Sequence, residues 1–170
     1  MNSVIKIDSQ VLDEIINHCN INKDLECGGY LFGFYKNNYD NQIITINGIY
    51  YEKVFGTENT FTFSSLYNLR ARALEKISIK NGSRLIGCYH SHANYPAIFS
   101  PTDRILEKRY ASNKACLIYS PIDKELIGDI ITFNYIYEAR ITVVNKDNLE
   151  RLYFPKTTKE PGKILSLKKI

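Results

Sequence analysis

His90-Ser-His-Ala-Asn-Tyr-Pro-Ala-Ile-Phe-Ser-Pro-Thr-Asp103 is the most informative run in the chain. It continues from Arg84-Leu-Ile-Gly-Cys-Tyr89, a largely apolar segment that reads as a strand reaching His92. Side chains alternate faces along a strand. His90 and His92 should therefore project to one side with Ser91 opposite, and Ile86 and Cys88 are expected on the histidine side. Two imidazoles placed this way can grip one metal ion. A catalytic zinc site takes three protein ligands and leaves one position for water, so a third ligand must come from elsewhere. Asp103 is the nearest carboxylate downstream. Ser100-Pro-Thr-Asp103 also has a purely structural meaning: serine at the N-cap, proline at N1 and an acid at N3 start a helix well.

Outward from this run, the spacing predicts a single mixed α/β domain in which hairpins dominate the sheet. Val4 to Ile7 is a short strand. Asp8 or Ser9 caps a helix to about Asn20 whose apolar stripe is Val11, Leu12, Ile15, Ile16 and Cys19. Glu26 to Tyr35 and Gln42 to Tyr51 read as two strands of a hairpin, and Phe61 to Phe63 as a further short strand. A second helix runs from Ser64 or Ser65 to about Lys80, with Leu66, Leu69, Ala73, Leu74 and Ile77 as its inward stripe and Asn81-Gly82 as its end. A short helix follows from about Pro101 to Ser112. Ala115 to Tyr119, Leu126 to Tyr137 and Ala139 to Val144 complete the sheet.

The 170 residues suit one domain, and 44% apolar residues suffice for a core. The net charge of +4 is mild and does not call for nucleic acid. Lys156, Lys159, Lys163, Lys168 and Lys169 cluster at the end, which divides the chain into a domain over 1–155 and a basic tail over 156–170. No apolar run approaches the roughly 18 residues needed to span a bilayer. The start, MNSVIKIDSQ, lacks the apolar core of a signal peptide. Cys19, Cys27, Cys88 and Cys116 form no CxxC pair, so neither a disulfide framework nor a cysteine-rich zinc site is expected. A reducing cytoplasm is the expected location.

The combination of HxH, seven residues, serine, two residues and aspartate resembles the JAMM (MPN-plus) metallopeptidase family. Leu25-Glu-Cys-Gly-Gly-Tyr-Leu-Phe-Gly33 is similar to the strand start that carries that family's upstream glutamate. The resemblance covers about residues 8 to 145, and includes the order helix, hairpin, helix and HxH strand. Ala93 stands where the family often has proline, and Cys27 where small or hydroxyl residues are common. The resemblance implies an MPN-like domain with a mostly antiparallel, curved sheet flanked by helices. It implies one zinc per chain on His90, His92 and Asp103, with Glu26 as general base and Ser100 as oxyanion partner. It further implies a peptidase or isopeptidase acting on a ubiquitin-like or sulfur-carrier-like protein with an extended C-terminal tail, including deconjugases of bacterial antiphage signalling. The length leaves little room for the large insertions that hold ubiquitin in eukaryotic relatives.

Rival readings have their own signatures. A metal-free MPN-type scaffold would typically lack several of these five residues. A DNA-repair-associated relative would bind nucleic acid, and the basic tail is the one cluster suited to it. Cys88, on the face expected for His90, is a conceivable thiol nucleophile with nothing in the sequence to orient it. A zinc nucleobase deaminase needs His-x-Glu and Pro-Cys-x-x-Cys, and both are missing. His18 has no partner motif and reads as a surface or satisfied histidine. The oligomeric state is not legible.

Overall fold

Asp8 ends the first strand and begins the first helix, because its carboxylate accepts a hydrogen bond from the Gln10 backbone N–H at 2.9 Å. This is the N-cap role that short acidic side chains play. The computed structural model describes residues 2–38, 41–51, 56–63, 65–79, 82–109, 114–132, 135–145 and 150–151. The described strands are β1 (Asn2–Asp8), β2 (Gly28–Asn38), β3 (Asn41–Tyr51), β4 (Arg84–Ser91), β5 (Lys114–Ser120), β6 (Glu125–Ile131), β7 (Ile136–Glu138), β8 (Arg140–Val144) and β9 (Glu150–Arg151). The helices are α1 (Ser9–Ile21), α2 (Ser65–Ser78) and α3 (Pro101–Arg109).

The strands form one sheet in the order β7-β6-β5-β4-β2-β3-β1-β8-β9. Three pairings are parallel, β1 with β3, β1 with β8 and β4 with β5, and the others are antiparallel. The mixed α/β class with a mostly antiparallel sheet is therefore as expected. The sheet curls strongly. A Cβ on Gly128 of β6 would come within 3.0 Å of Ile5 on β1 and 3.4 Å of Ile141 on β8, although those strands lie far away along the order.

The concave side is the main core. Val11, Leu12, Ile15 and Cys19 of α1 are buried there against Ile5, Ile7, Leu31, Ile44, Leu117 and Ile141. Each fully buried aliphatic side chain contributes about 1.5–3 kcal/mol relative to exposure. A smaller cluster lies on the other face, where Ala71 of α2 is buried with Tyr30 and Phe32, and Leu74 packs beside them. Leu31 belongs to the first cluster and its neighbours Tyr30 and Phe32 to the second, as alternation along a strand requires. The helical stripe expected for α2 is thus displaced: Leu69 is 65% exposed and Ala73 is exposed, while Ala71 and Leu74 face the sheet. The side chains of Leu66 and Ile77 lie outside the described residues. Gly82 follows the helix with φ of 82°, a left-handed conformation that glycine adopts without strain, and the Ser83 N–H reaches back to the Ser78 carbonyl at 3.1 Å.

Three further differences have local causes. Leu126 to Tyr137 is not one strand; β6 and β7 are antiparallel partners, and the Thr132 N–H is bonded to the Tyr135 carbonyl at 2.8 Å. Phe61 to Phe63 joins no strand ladder. On β4 the register slips between Leu31/Gly87 and Phe32/Leu85, so one extra residue is accommodated. Ile86 consequently turns into the main core, and Leu85 takes its place beside Cys88. The tail over 156–170 lies outside the described residues.

Candidate metal centre

Beyond the bulge the ladder between β2 and β4 is regular. Gly28 pairs with His90, and Cys27 and Ser91 extend the pairing through Ser91 N–H to Cys27 O at 2.7 Å and Cys27 N–H to Ser91 Oγ at 2.9 Å. Alternation then puts Glu26, Gly28, His90 and His92 on one face and Cys27 and Ser91 on the other. Gly28 has to be small: a Cβ there would lie 2.5 Å from the Tyr89 carbonyl and 2.7 Å from the Phe61 ring.

The histidine Nε2 atoms are 3.2 Å apart. Asp103 Oδ1 lies 3.2 Å from His90 Nε2, and Asp103 Oδ2 lies 3.5 Å from His92 Nε2. A tetrahedral ion bonded at about 2.0–2.1 Å holds its ligand atoms about 3.3 Å apart. Each histidine nitrogen thus lies at about that distance from the other and from one Asp103 oxygen, one ligand atom from each residue falls within 4.8 Å of the others, and the chemistry, two imidazoles and a carboxylate, suits zinc. His92 Nδ1 lies 3.1 Å from the Pro96 carbonyl. As a donor to that oxygen, Nδ1 carries the proton and leaves the Nε2 lone pair for the ion.

Asp103 comes from α3 rather than the sheet. Its carboxylate accepts the Ser100 N–H at 2.8 Å, while its own N–H donates to Ser100 Oγ at 3.2 Å. This reciprocal cap is the helix start that Ser-Pro-Thr-Asp suggested, and the same two residues also face the histidines. Burial opposes the Asp103 charge, but hydrogen bonds from His90 and His92 hold the carboxyl well below the usual carboxylate range. Burial likewise opposes a charged His92, yet Asp103 and the Pro96 carbonyl raise its pKa above the ordinary value.

Glu26 precedes β2, and its N–H is bonded to the Thr57 carbonyl at 2.8 Å. It is buried, and burial lifts its pKa despite the nearby histidines. Glu26, His90, Ser100 and Asp103 line one cavity of about 410 Å³. Phe61, Phe63 and Phe99 give it aromatic walls, and Cys88 and Cys116, whose sulfurs are 3.8 Å apart, lie in it too. His90, His92 and Asp103 could hold an ion, and a carboxylate, Glu26, and a hydroxyl, Ser100, line the same cavity. Sequence reasoning did not foresee Phe61, Phe63 and Cys116 at this cavity, because strand pairing and the approach of the 56–63 segment place them.

On the opposite face His18 is buried, stacked on Tyr51 at 4.1 Å, with Nδ1 2.8 Å from the Tyr89 hydroxyl. It sits close to the thiols of Cys19 and Cys27, all donor atoms lying within 4.8 Å. His18 is thus a core histidine, not a surface one, with Nε2 buried and unbonded.

No described helix is long and apolar enough to cross a membrane. None of the curated proteins matches the chain. A solved structure of similar fold is the solution structure of protein DSY2949 from Desulfitobacterium hafniense, at a TM-score of 0.64 and 22% identity, covering 84% of this chain and 94% of that one. The family described as prokaryotic homologs of the JAB domain matches residues 8–132, a span that contains the hairpin, the histidine strand and the capped helix, and the chain belongs to that JAB-domain family.

Proposed function

We propose that this protein is a zinc-dependent peptidase or isopeptidase that cleaves after the C-terminal glycine of a ubiquitin-like or sulfur-carrier-like protein, as a deconjugase of the kind used in bacterial antiphage signalling. The observation that carries the reading is the grouping of His90, His92 and Asp103, with the two Nε2 atoms 3.2 Å apart and each within 3.5 Å of a carboxylate oxygen, and with buried Glu26 lining the cavity that His90 and Asp103 line. When bound there, zinc supplies a Lewis acid and lowers the pKa of water from 15.7 to about 7. Glu26 takes the proton of the attacking water and passes it to the leaving amine; a carboxyl raised by burial is better matched to both transfers than an ordinary one. Ser100 accepts the Asp103 N–H through its oxygen, which leaves its own proton to donate to the developing oxyanion.

The substrate class rests on the resemblance carried by the His90–Asp103 spacing and Glu26, and residues 59–63, which line the cavity and belong to no strand ladder, are the stretch a substrate tail would lie against. Glycine at the cleaved end would let the substrate backbone approach closely between the aromatic walls.

The test uses zinc-loaded protein and a panel of ubiquitin-like and carrier proteins, each fused through its C-terminal glycine to a reporter, with unrelated folded and unfolded proteins as controls. Cleavage confined to the glycine junction of carrier fusions is the expected result. Equal cutting of all proteins would mean a general protease, and a preparation that binds no zinc would favour a metal-free scaffold.

A further inference from the structure

Asp129 is the buried carboxylate that the chemistry above leaves without a task. It lies on β6 and is 1% exposed. Its Oδ2 accepts a charge-assisted hydrogen bond from Arg104 Nη1. Arg104 is the residue after Asp103, and its guanidinium carbon lies 4.4 Å over the ring of Phe99, the residue before Ser100. The Arg104 N–H also donates to the Ser100 carbonyl at 3.0 Å. One side chain therefore ties together both flanks of the Ser100–Asp103 cap and fastens them to the sheet.

Of the described side chains on α3, Pro101, Thr102 and Ile105 are exposed, Ile105 at 56%, and Asp103 and Arg104 are partly buried. No apolar stripe among them fixes how deeply this helix sits. The anchor point is well placed, because Asp129 pairs in register with Cys116, Cys116 with Cys88, and Cys88 stands two residues before His90. The sheet row that carries the anchor thus runs directly into the strand that carries the histidines.

We propose that Arg104 and Asp129 are positioning residues, whose pair holds the α3 N-terminus at the height where Asp103 completes the histidine pair and Ser100 and Phe99 face the cavity. This rests on the zinc reading of His90, His92 and Asp103. Arginine suits the task because its planar guanidinium can stack on a ring and bond a carboxylate at once, which a lysine ammonium cannot do. Asp129→Asn is the informative change: it keeps the volume, and Arg104, whose side chain is 41% exposed, retains access to water.

The experiment measures zinc affinity of the full-length chain by competition with a chromogenic chelator, for wild type, Asp129→Asn and Arg104→Lys, each also made in an Asp103→Asn background. The thermal midpoint of each metal-free protein is recorded alongside. Asp129→Asn and Arg104→Lys should each weaken zinc binding by about 10- to 100-fold, the usual range for groups that support metal ligands. In the Asp103→Asn background the same changes should have almost no further effect, since residues acting through one ligand are strongly non-additive. An unchanged affinity in folded Asp129→Asn would overturn the proposal, and so would an equal loss in both backgrounds, which marks a general structural effect. Should Asp129→Asn fail to fold, Arg104→Lys decides by the same two criteria. A wild-type chain that binds no zinc would sink the metal reading itself, an outcome distinct from zinc-binding wild type with indifferent variants.

Discussion

Exchanging Glu26 for glutamine keeps the size of the side chain and removes its basicity. Zinc should stay bound, because Glu26 is outside the ligand-type group of His90, His92 and Asp103. Turnover on a carrier fusion should fall by on the order of 100-fold or more, and near-normal turnover would remove Glu26 from the mechanism. The pH profile carries the sign of its environment. In the metal-free protein burial raises its pKa, so its carboxyl should titrate above the ordinary glutamate value of about 4.3, as its NMR signal followed against pH would show. A titration at or below that value would contradict the buried setting. At this scale much was legible: His90, His92 and Asp103 stand together as their spacing suggested, and Glu26 shares their cavity although 64 residues separate it from His90. Phe61 and Cys116 were not legible, because their nearness depends on a segment crossing β2 and on a parallel pairing of β4 with β5.

Among the elements, α3 combines structure and chemistry in one cap, and two substitutions of Ser100 separate them. Alanine removes the Oγ that accepts the Asp103 N–H and should cost about 1 kcal/mol of stability. Glycine retains most N-cap stability, within a few tenths of a kcal/mol. Both remove the hydroxyl donor, so both should lower kcat by about 100- to 1,000-fold if Ser100 serves the oxyanion. Thermal melts and turnover on the same samples check this; a loss of kcat that tracks the melting change would reduce Ser100 to a cap. The β4 bulge shows the limit of reading elements from pattern. Strict alternation puts Ile86 with the histidines, but the extra residue reverses the face there, and the core gains a large aliphatic side chain. Such a bulge is set by the fit to β2, which the sequence of β4 alone does not contain.

For the whole molecule, zinc on the proposed ligands would strap the sheet to α3, and it should then stabilise the folded state by mass action. At free zinc about 100 times Kd the gain is about 2.7 kcal/mol, visible as a chelator-reversible rise in thermal midpoint. The His90→Ala, His92→Ala double variant should lose both the bound zinc and the rise; retention of a full equivalent would show the ligands are elsewhere. Truncation after Phe154 removes a polar, proline-interrupted stretch, so the thermal midpoint should change little. A large drop would make the tail part of the core.

The sequence alone determined what local chemistry can specify: the amphipathic first helix, the hairpin, the Ser-Pro-Thr-Asp helix start and the pairing of His90 with His92 on one face, because each rests on periodicity or spacing within a few residues. Tertiary structure decided what depends on partners distant in the chain. The curl that brings Ile5 and Ile141 against Gly128, the face that α2 presents, the cavity walls and the Arg104–Asp129 fastening all follow from which strands become neighbours. Neighbour choice is a property of the folded whole, since burial and register are settled jointly by all the strands and not by any one segment.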